Sequence, residues 1–190
     1  MISSVLVGSD GHVFSFEPEP NNFEILRKVI LLGRLKNISA FKLALSDSDG
    51  FEFMYLSEHP SMHSLVLKRS HRKISVPVMK MDTIVKLLKI RKLDLIKIDV
   101  EGAELKVLKG CKRLINEFKP IFSIDVNHYD GEFEEVQALM REFNYEIRPL
   151  FGETGKLHSI VAYPAIKRSL VDHLINKTRK LSIIPPKVEP

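Results

Sequence analysis

The sequence has no tryptophan. It has only one cysteine, Cys111, so it cannot form an internal disulfide. No apolar run approaches the roughly 20 residues that a membrane-spanning helix needs. The first residues, Met1 to Gly8, have neither the basic leader nor the long apolar stretch of a signal peptide. These absences argue against a secreted disulfide scaffold and against a transmembrane protein. We therefore expect a cytoplasmic location, with Cys111 as a small packing residue.

What the sequence does contain is typical of one globular domain. Of its 190 residues, 44% are apolar and 28% charged, enough for a sizeable core. We expect a domain over residues 1–163 and a basic tail over 164–190. The net charge of +5 lies mostly in that tail. Its charged residues are Lys167, Arg168, Lys177, Arg179, Lys180 and Lys187, against Asp172 and Glu189.

A second basic cluster, Lys68-Arg69-Ser70-His71-Arg72-Lys73, precedes a strand-like run. Such clusters are usually solvated surface. Contact with nucleic acid or an anionic membrane is less favoured, because the sequence interleaves no aromatic residues with these charges. Nucleic acid is therefore not expected as a partner.

The stretch from Asp94 to Gly110 carries the most information. Its β-branched and leucine-rich start predicts a strand buried on both faces, followed directly by a helix. Ligands of open α/β sheets bind beyond the carboxyl ends of the strands, where Asp99, Glu101 and Glu104 are expected to lie. These carboxylates also complement the positive end of a helix, while Gly102 permits close approach of a ligand. The apolar residues of the helix are Leu105, Leu108, Leu114 and Ile115.

Glu17 stands at the carboxyl end of a strand predicted over His12–Phe16. An acid at that position can accept hydrogen bonds from both hydroxyls of a ribose, as in nucleotide-binding α/β folds. The alternative is a solvent-facing loop glutamate. A helix follows, with Asn21 or Asn22 as N-cap and its end near Gly33.

The middle of the chain alternates strands and turns. His59 and His63 suggest a metal site, but Pro60 argues against their sharing a helical turn, so we expect two loop histidines. The predicted elements are a strand over Ile38–Leu45, a turn over 46–50, strands over Phe51–Leu56 and Ile74–Met79, and a helix capped by Asp82 and running through Leu88.

The last part predicts a buried strand whose end delivers Asp125, Asn127 and His128 to the same edge as Asp99. The alternation of strands and helices predicts an α/β doubly wound sheet with a C-terminal antiparallel hairpin. The predicted elements are a strand over Pro120–Val126, a helix over Glu132–Phe143, strands over Tyr145–Pro149 and Leu157–Tyr163, an exposed basic helix over Leu170–Leu181, and an end of the ordered chain at Pro185-Pro186.

Four segments together resemble the FkbM family of S-adenosylmethionine-dependent methyltransferases, over residues 8 to about 163. They are Val13-Phe14-Ser15-Phe16-Glu17-Pro18, Ala44-Leu45-Ser46-Asp47, Met81-Asp82-Thr83-Ile84, and Lys97-Ile98-Asp99-Val100-Glu101-Gly102-Ala103-Glu104 with Leu108 and Gly110. The resemblance implies a Rossmann-like class I methyltransferase sheet and S-adenosylmethionine as cofactor. It also implies that Glu17 holds the ribose, that the Ser46-Asp47 turn lies near the adenine, and that Asp99 with Glu101 faces the methionine end and the acceptor.

The sequence has no Gly-x-Gly before Glu17, although families of this kind begin with a strand and a glycine-rich loop. We therefore expect an N-terminally truncated sheet, with Val5 to Gly8 as the end of the first helix. Either the true start lies upstream or the protein is shortened. A shortened sheet exposes a long edge, which a homo-oligomer could cover.

The resemblance suggests O-methylation of a sugar or another small-molecule hydroxyl. The candidate bases are Asp99, Glu101 and His128, of which the histidine has the most suitable ordinary pKa, ~6.5. A Mg²⁺ site at the carboxylates ranks below simple polar contacts, so no metal is predicted. The alternative is a non-catalytic methyltransferase-like domain that acts as a binding or structural module. A nucleic-acid methyltransferase ranks last, because the chain has no Asn/Asp-Pro-Pro-aromatic motif.

Overall fold

The computed structural model describes residues 2–68, 70–152, 155 and 157–173. The chain forms two compact units, one comprising residues 1–91 and 99–114 and the other residues 92–98 and 115–190. In the described residues the first unit has two sheets and the second has one, and each unit has its own cluster of buried apolar residues.

The first unit holds two small sheets in its described residues. Strands β1 and β2 pair in parallel, and the second sheet has the order β3-β5-β4, with β3–β5 parallel and β4–β5 antiparallel. Its core cluster, Ala44, Met54, Val76 and Val78, lies on one face of that second sheet. The elements are α1 (Ile2–Leu6), β1 (Val13–Phe16), α2 (Pro20–Leu32), β2 (Ile38–Phe41), β3 (Ala44–Leu45), β4 (Gly50–Tyr55), β5 (Lys73–Met79), α3 (Met81–Leu87) and α4 (Glu104–Lys109).

The described part of the second unit has one sheet, of order β6-β7-β9-β8. Strands β6 and β7 are parallel, whereas β7–β9 and β8–β9 are antiparallel, which confirms the C-terminal hairpin. The remaining elements of the described chain are β6 (Leu95–Ile98), α5 (Lys112–Phe118), β7 (Ile121–Asp125), α6 (Glu132–Glu142), β8 (Tyr145–Phe151), β9 (Leu157–Pro164) and a 3₁₀ turn (Ala165–Lys167).

The prediction of one continuous strand from Ile38 to Leu45 is wrong. The structure has two strands there, because β2 pairs with β1 whereas β3 pairs with β5, in different sheets. Lys42 and Leu43 connect the two strands.

The predicted helix caps are also corrected. Glu19, not Asn21 or Asn22, caps α2: its Oε2 accepts the backbone N–H of Asn22 at 2.7 Å, and Pro20 fits the first helical position. Asp82 lies inside the first turn of α3. It instead caps α5, where its carboxylate accepts the backbone N–H groups of Arg113 and Leu114 at 2.9 and 2.8 Å.

The stretch from Asp94 to Gly110 differs from expectation in two ways. Strand β6 is not buried on both faces: it ends the sheet in the described chain, and Leu95 is 57% exposed. The predicted helix is two helices, because Gly110 closes α4 through its N–H to the Lys106 carbonyl and α5 then starts at Lys112.

The described part of the segment after β9, residues 165–173, contributes to the core of the second unit. Val171 is buried with Ile121 and Tyr163, so the expectation of an exposed helix from Leu170 does not hold at Val171. Arg148 pairs with Asp172 in the same segment. The remainder of that predicted helix and Pro185-Pro186 lie outside the described residues.

No helix among the described residues combines the length and apolar character that crossing a bilayer demands.

Candidate functional site

Glu17 follows β1 directly, at the carboxyl end of the parallel β1–β2 pair. The Glu17 side chain is half-buried, and Oε1 accepts the backbone N–H of Glu19 at 2.8 Å. Removal from water raises the pKa of the Glu17 carboxyl, although the Glu19 amide opposes the shift. Within the described residues, that amide is the one hydrogen-bond donor to this carboxylate. A desolvated carboxylate with remaining acceptor capacity can bind a ligand that brings its own hydroxyl donors.

The loop between β4 and β5 connects this strand end to the turn after β6. At one end, the Asn22 side-chain amide donates to the Pro60 carbonyl at 3.0 Å. At the other end, Ser64, only 1% exposed, donates its hydroxyl to the Glu101 carbonyl at 2.6 Å. The loop therefore links the neighbourhood of Glu17 to the Asp99–Gly102 turn within the first unit.

The turn from Asp99 to Gly102 has an unusual backbone. Glu101 and Gly102 both lie in the left-handed region, with φ of +56° and +93°. A non-glycine residue there is uncommon and often marks a functional turn. The Asp99 side chain is exposed and that of Glu101 half-buried. Glu104 is fully buried, and its Oε1 accepts the Val100 N–H at 2.9 Å, so this carboxylate fixes the turn from inside.

Ser46 and Asp47 follow β3 and join a charged network. The buried Ser46 hydroxyl donates to Glu52 Oε1 at 2.6 Å, and Lys106 Nζ of α4 lies 2.5 Å from Glu52 Oε2 and 3.6 Å from Asp47 Oδ1. Burial alone would raise the pKa of Glu52, but the hydrogen bonds from Lys106 and Ser46 outweigh it and lower that pKa. The network ties the β3 turn to α4.

Gly110 also contacts this turn. A Cβ at Gly110 would lie 2.1 Å from the Ser46 carbonyl oxygen, so only glycine fits there. Gly110, named above with the fourth FkbM-like segment, thus allows close packing of two backbones.

His128 belongs to the second unit, in the segment after β7. Its backbone N–H donates to Glu132 Oε2 at 2.9 Å, and its Nδ1 lies 3.2 Å from the same oxygen. Both side chains are buried, so Glu132 holds the imidazole in one orientation. In the same unit, Asp125 at the end of β7 contacts Lys97 Nζ at 2.7 Å, and His158 Nδ1 lies 3.8 Å from its other oxygen.

The two loop histidines and Cys111 are further residues whose side chains could bind metal or react. His59 and His63 are confirmed as loop residues: His63 Nδ1 accepts the Ser57 N–H at 2.9 Å, and His59 Nδ1 lies 2.8 Å from the Ser61 hydroxyl. Cys111 is fully buried, and this burial raises the pKa of its thiol, as expected for a packing residue.

Sequence reasoning missed three residues that shape the first unit's site: Ser64, Glu52 and Lys106. Ser64 was visible only as one member of a polar segment. Glu52 and Lys106 are 54 residues apart in sequence, so no local pattern pairs them.

Within the first unit, hydrogen bonds and ion pairs thus connect the Glu17 neighbourhood to the Asp99–Gly102 turn, and the Ser46–Asp47 turn to α4. The chain is similar in structure to an FkbM methyltransferase from Methylobacillus flagellatus KT, known from a crystal structure, with a TM-score of 0.59 and 18% sequence identity. The match covers 85% of this chain but 39% of that one, so the chain spans well under half the length of that protein. The likeness confirms the α/β fold class.

A sequence model of the methyltransferase FkbM domain matches residues 2–147, most of the chain. The chain therefore belongs to the FkbM methyltransferase family. Comparison with curated proteins gives no match.

Proposed function

We propose that this chain binds S-adenosylmethionine and directs transfer of its methyl group to a hydroxyl oxygen of a sugar or another small molecule. Membership of the FkbM methyltransferase family supports methyl transfer in general. The observation that carries the cofactor proposal is the half-buried Glu17 carboxylate at the end of β1, with one backbone donor among the described residues.

Glu17 is proposed to hold the ribose of the cofactor. Two adjacent ribose hydroxyls would donate to the carboxylate and replace the water that burial removes. The Ser46–Asp47 turn is proposed to lie beside the adenine. There the bond from Ser46 to Glu52 fixes the turn, and Asp47 remains exposed at its surface. S-adenosylmethionine, when bound, supplies an electrophilic methyl group on its sulfonium.

Asp99 and Glu101 are proposed to face the methionine end and the acceptor. The acceptor oxygen must lie in line with the methyl carbon, so orientation by the Asp99–Gly102 turn is the main contribution of the protein. As the oxygen–carbon bond forms and the carbon–sulfur bond breaks, the hydroxyl proton must pass to a base. Asp99, Glu101 and His128 are the three candidates for that base.

Isothermal titration of the purified chain with S-adenosylhomocysteine tests the cofactor proposal. We expect saturable binding, and we expect Glu17→Ala to weaken it roughly tenfold or more, because hydrogen bonds to a charged group contribute about 1.5–3 kcal/mol. Glu24→Ala is the matched control, since Glu24 is an exposed glutamate of α2 paired with Arg27. Absence of binding by the folded chain would overturn the proposal and favour a non-catalytic methyltransferase-like module.

A further inference from the structure

One face of the β4–β5 hairpin presents aromatic side chains to solvent. Strand β4 alternates strictly: Met54 points into the core, whereas Phe51 is 77% and Phe53 54% exposed. Tyr55, next on the same side, is half-buried. Same-side residues of a strand lie ~6.8 Å apart, so the three rings form a row along β4. The cross-strand neighbours that share this face are Lys73, Ser75 and Pro77 of β5.

Cationic side chains flank this row. Lys73 Nζ lies 4.1 Å from the centre of the Phe53 ring, and Lys68 Nζ lies 5.9 Å from the centre of the Tyr55 ring. Both lysines are exposed. Among the described residues no carboxylate forms an ion pair with either of them. The face therefore combines ring surfaces with positive charge that the described protein does not neutralise.

The rings and the basic cluster come from different parts of the chain. The basic cluster at 68–73 has no aromatic residues within it, so its sequence alone does not predict nucleic acid as a partner. The structure supplies the aromatic residues from β4, since the antiparallel register places Tyr55 opposite Lys73 and Phe53 opposite Ser75. The aromatic platform is interleaved in space, though not in sequence.

We propose that the face formed by Phe51, Phe53, Tyr55, Lys68 and Lys73 binds single-stranded nucleic acid. Unpaired bases stack on exposed aromatic rings without regard to sequence, and adjacent lysines neutralise the backbone phosphates. A duplex does not offer its base faces, so it cannot use the ring row. Charge complementarity favours this occupant over a second copy of the chain, which would bring like charges to the same face.

Fluorescence anisotropy with labelled oligonucleotides of about 12 nucleotides tests the proposal, a length within the roughly 4–16-nucleotide sites of comparable surfaces. Oligouridylate and oligothymidylate are titrated separately, so that RNA and DNA are distinguished. We expect either strand to bind, the matching duplex to bind more weakly, and Phe51→Ala with Phe53→Ala to reduce affinity roughly tenfold or more. The slope of log affinity against log salt is negative, and Lys73→Ala should make it less steep by about 0.7, which corresponds to the loss of one phosphate contact.

Matched controls separate this face from general surface effects. Phe151→Ala removes a ring of β8 that is 65% exposed, between the values of Phe51 and Phe53, and Lys36→Ala removes an exposed lysine before β2. Both changes should leave affinity unchanged. Phe53→Leu keeps apolar bulk but removes the ring, and should weaken binding while the circular dichroism spectrum is preserved.

Three outcomes would overturn the proposal: no binding of either strand, equal binding of duplex and single strand, or full affinity in the folded phenylalanine variants. Competition with polyphosphate detects binding by charge alone. If charge alone holds the oligonucleotide, polyphosphate displaces it equally from wild type and from the phenylalanine variants. Titration with S-adenosylhomocysteine is independent of these results, so failure here leaves the proposed methyl transfer untouched.

Discussion

At the scale of single residues, Glu17 combines a stability cost with a proposed binding role. Burial raises its pKa, so the folded state holds the proton more tightly than the unfolded state. Stability from this group is therefore fully present below about pH 4.3 and falls as pH rises through the folded pKa. The charged form of Glu17 therefore lowers stability at neutral pH, a cost that its proposed role in ligand binding would explain.

We expect Glu17→Gln to be more stable than wild type near neutral pH, because the amide carries no charge to desolvate and can still accept the Glu19 N–H. Affinity for S-adenosylhomocysteine should fall roughly tenfold or more. Urea unfolding at about pH 4 and about pH 8 measures the stability difference, which should be larger at the higher pH. A variant less stable than wild type at both pH values would contradict this account of Glu17.

Glu52 has the opposite titration behaviour. Its pKa is lowered in spite of burial, chiefly by Lys106 and Ser46, so its contribution is present above about pH 4.3 and is lost as pH falls through the folded pKa. Lys106→Met should lower the free energy of unfolding by about 1–3 kcal/mol at neutral pH, because it leaves a largely buried carboxylate without its cation.

A double-mutant cycle with Glu52→Gln checks that estimate. The coupling between the two sites should be substantial at neutral pH and should shrink as pH falls through the lowered pKa of Glu52, because protonation removes the charge that Lys106 pairs with. Strictly additive effects at neutral pH would show that the observed ion pair contributes nothing.

At the scale of elements, helix starts depend on carboxylates from elsewhere in the chain. Asp82 of α3 accepts two N–H groups at the start of α5, and Asp49 accepts the Lys80 N–H at 2.7 Å just before α3. Asp82→Ala should lower the free energy of unfolding by about 1–2 kcal/mol, and Asp82→Asn by less, since the amide oxygen can still accept.

Chemical denaturation followed by circular dichroism measures this effect. Asp94→Ala is the control: its partner Lys92 and Asp94 itself are both mostly exposed, so the change should stay within roughly 0.5 kcal/mol. If Asp82→Ala lowers the free energy of unfolding by no more than the control does, α5 needs no side-chain cap.

The elements that could be predicted from the sequence are those fixed by neighbouring residues. Helix α6 follows from its own periodicity, and the β8–β9 hairpin from two strand patterns separated by glycines. Strand pairing and capping depend on residues far apart, so they could not be predicted: β3 is separated from β2 by its pairing with β5, and Asp82 lies 31 residues from Arg113. Likewise, the position of Glu17 directly after β1 could be predicted, whereas the Glu52–Lys106 ion pair could not, because its partners are 54 residues apart.

At the scale of the whole molecule, cofactor binding should be visible as stabilisation. A ligand that binds only the folded state adds about 2.7 kcal/mol at one hundred times its Kd. For a chain of this size that corresponds to a rise in Tm of roughly 5–10 °C. Differential scanning fluorimetry with S-adenosylhomocysteine should show this rise in wild type and a smaller one in Glu17→Ala at the same ligand concentration; an unchanged Tm at high ligand would contradict the proposed site.

Helix α2 has a practical consequence for handling the protein. No residue of α2 is buried, and Leu31 and Leu32 are 76% and 83% exposed. Strongly excluded salts such as ammonium sulfate strengthen contact between apolar surfaces, so we expect this helix end to promote precipitation during fractionation. Low-salt buffers and polar replacements at Leu31 and Leu32 are the first means of obtaining concentrated samples.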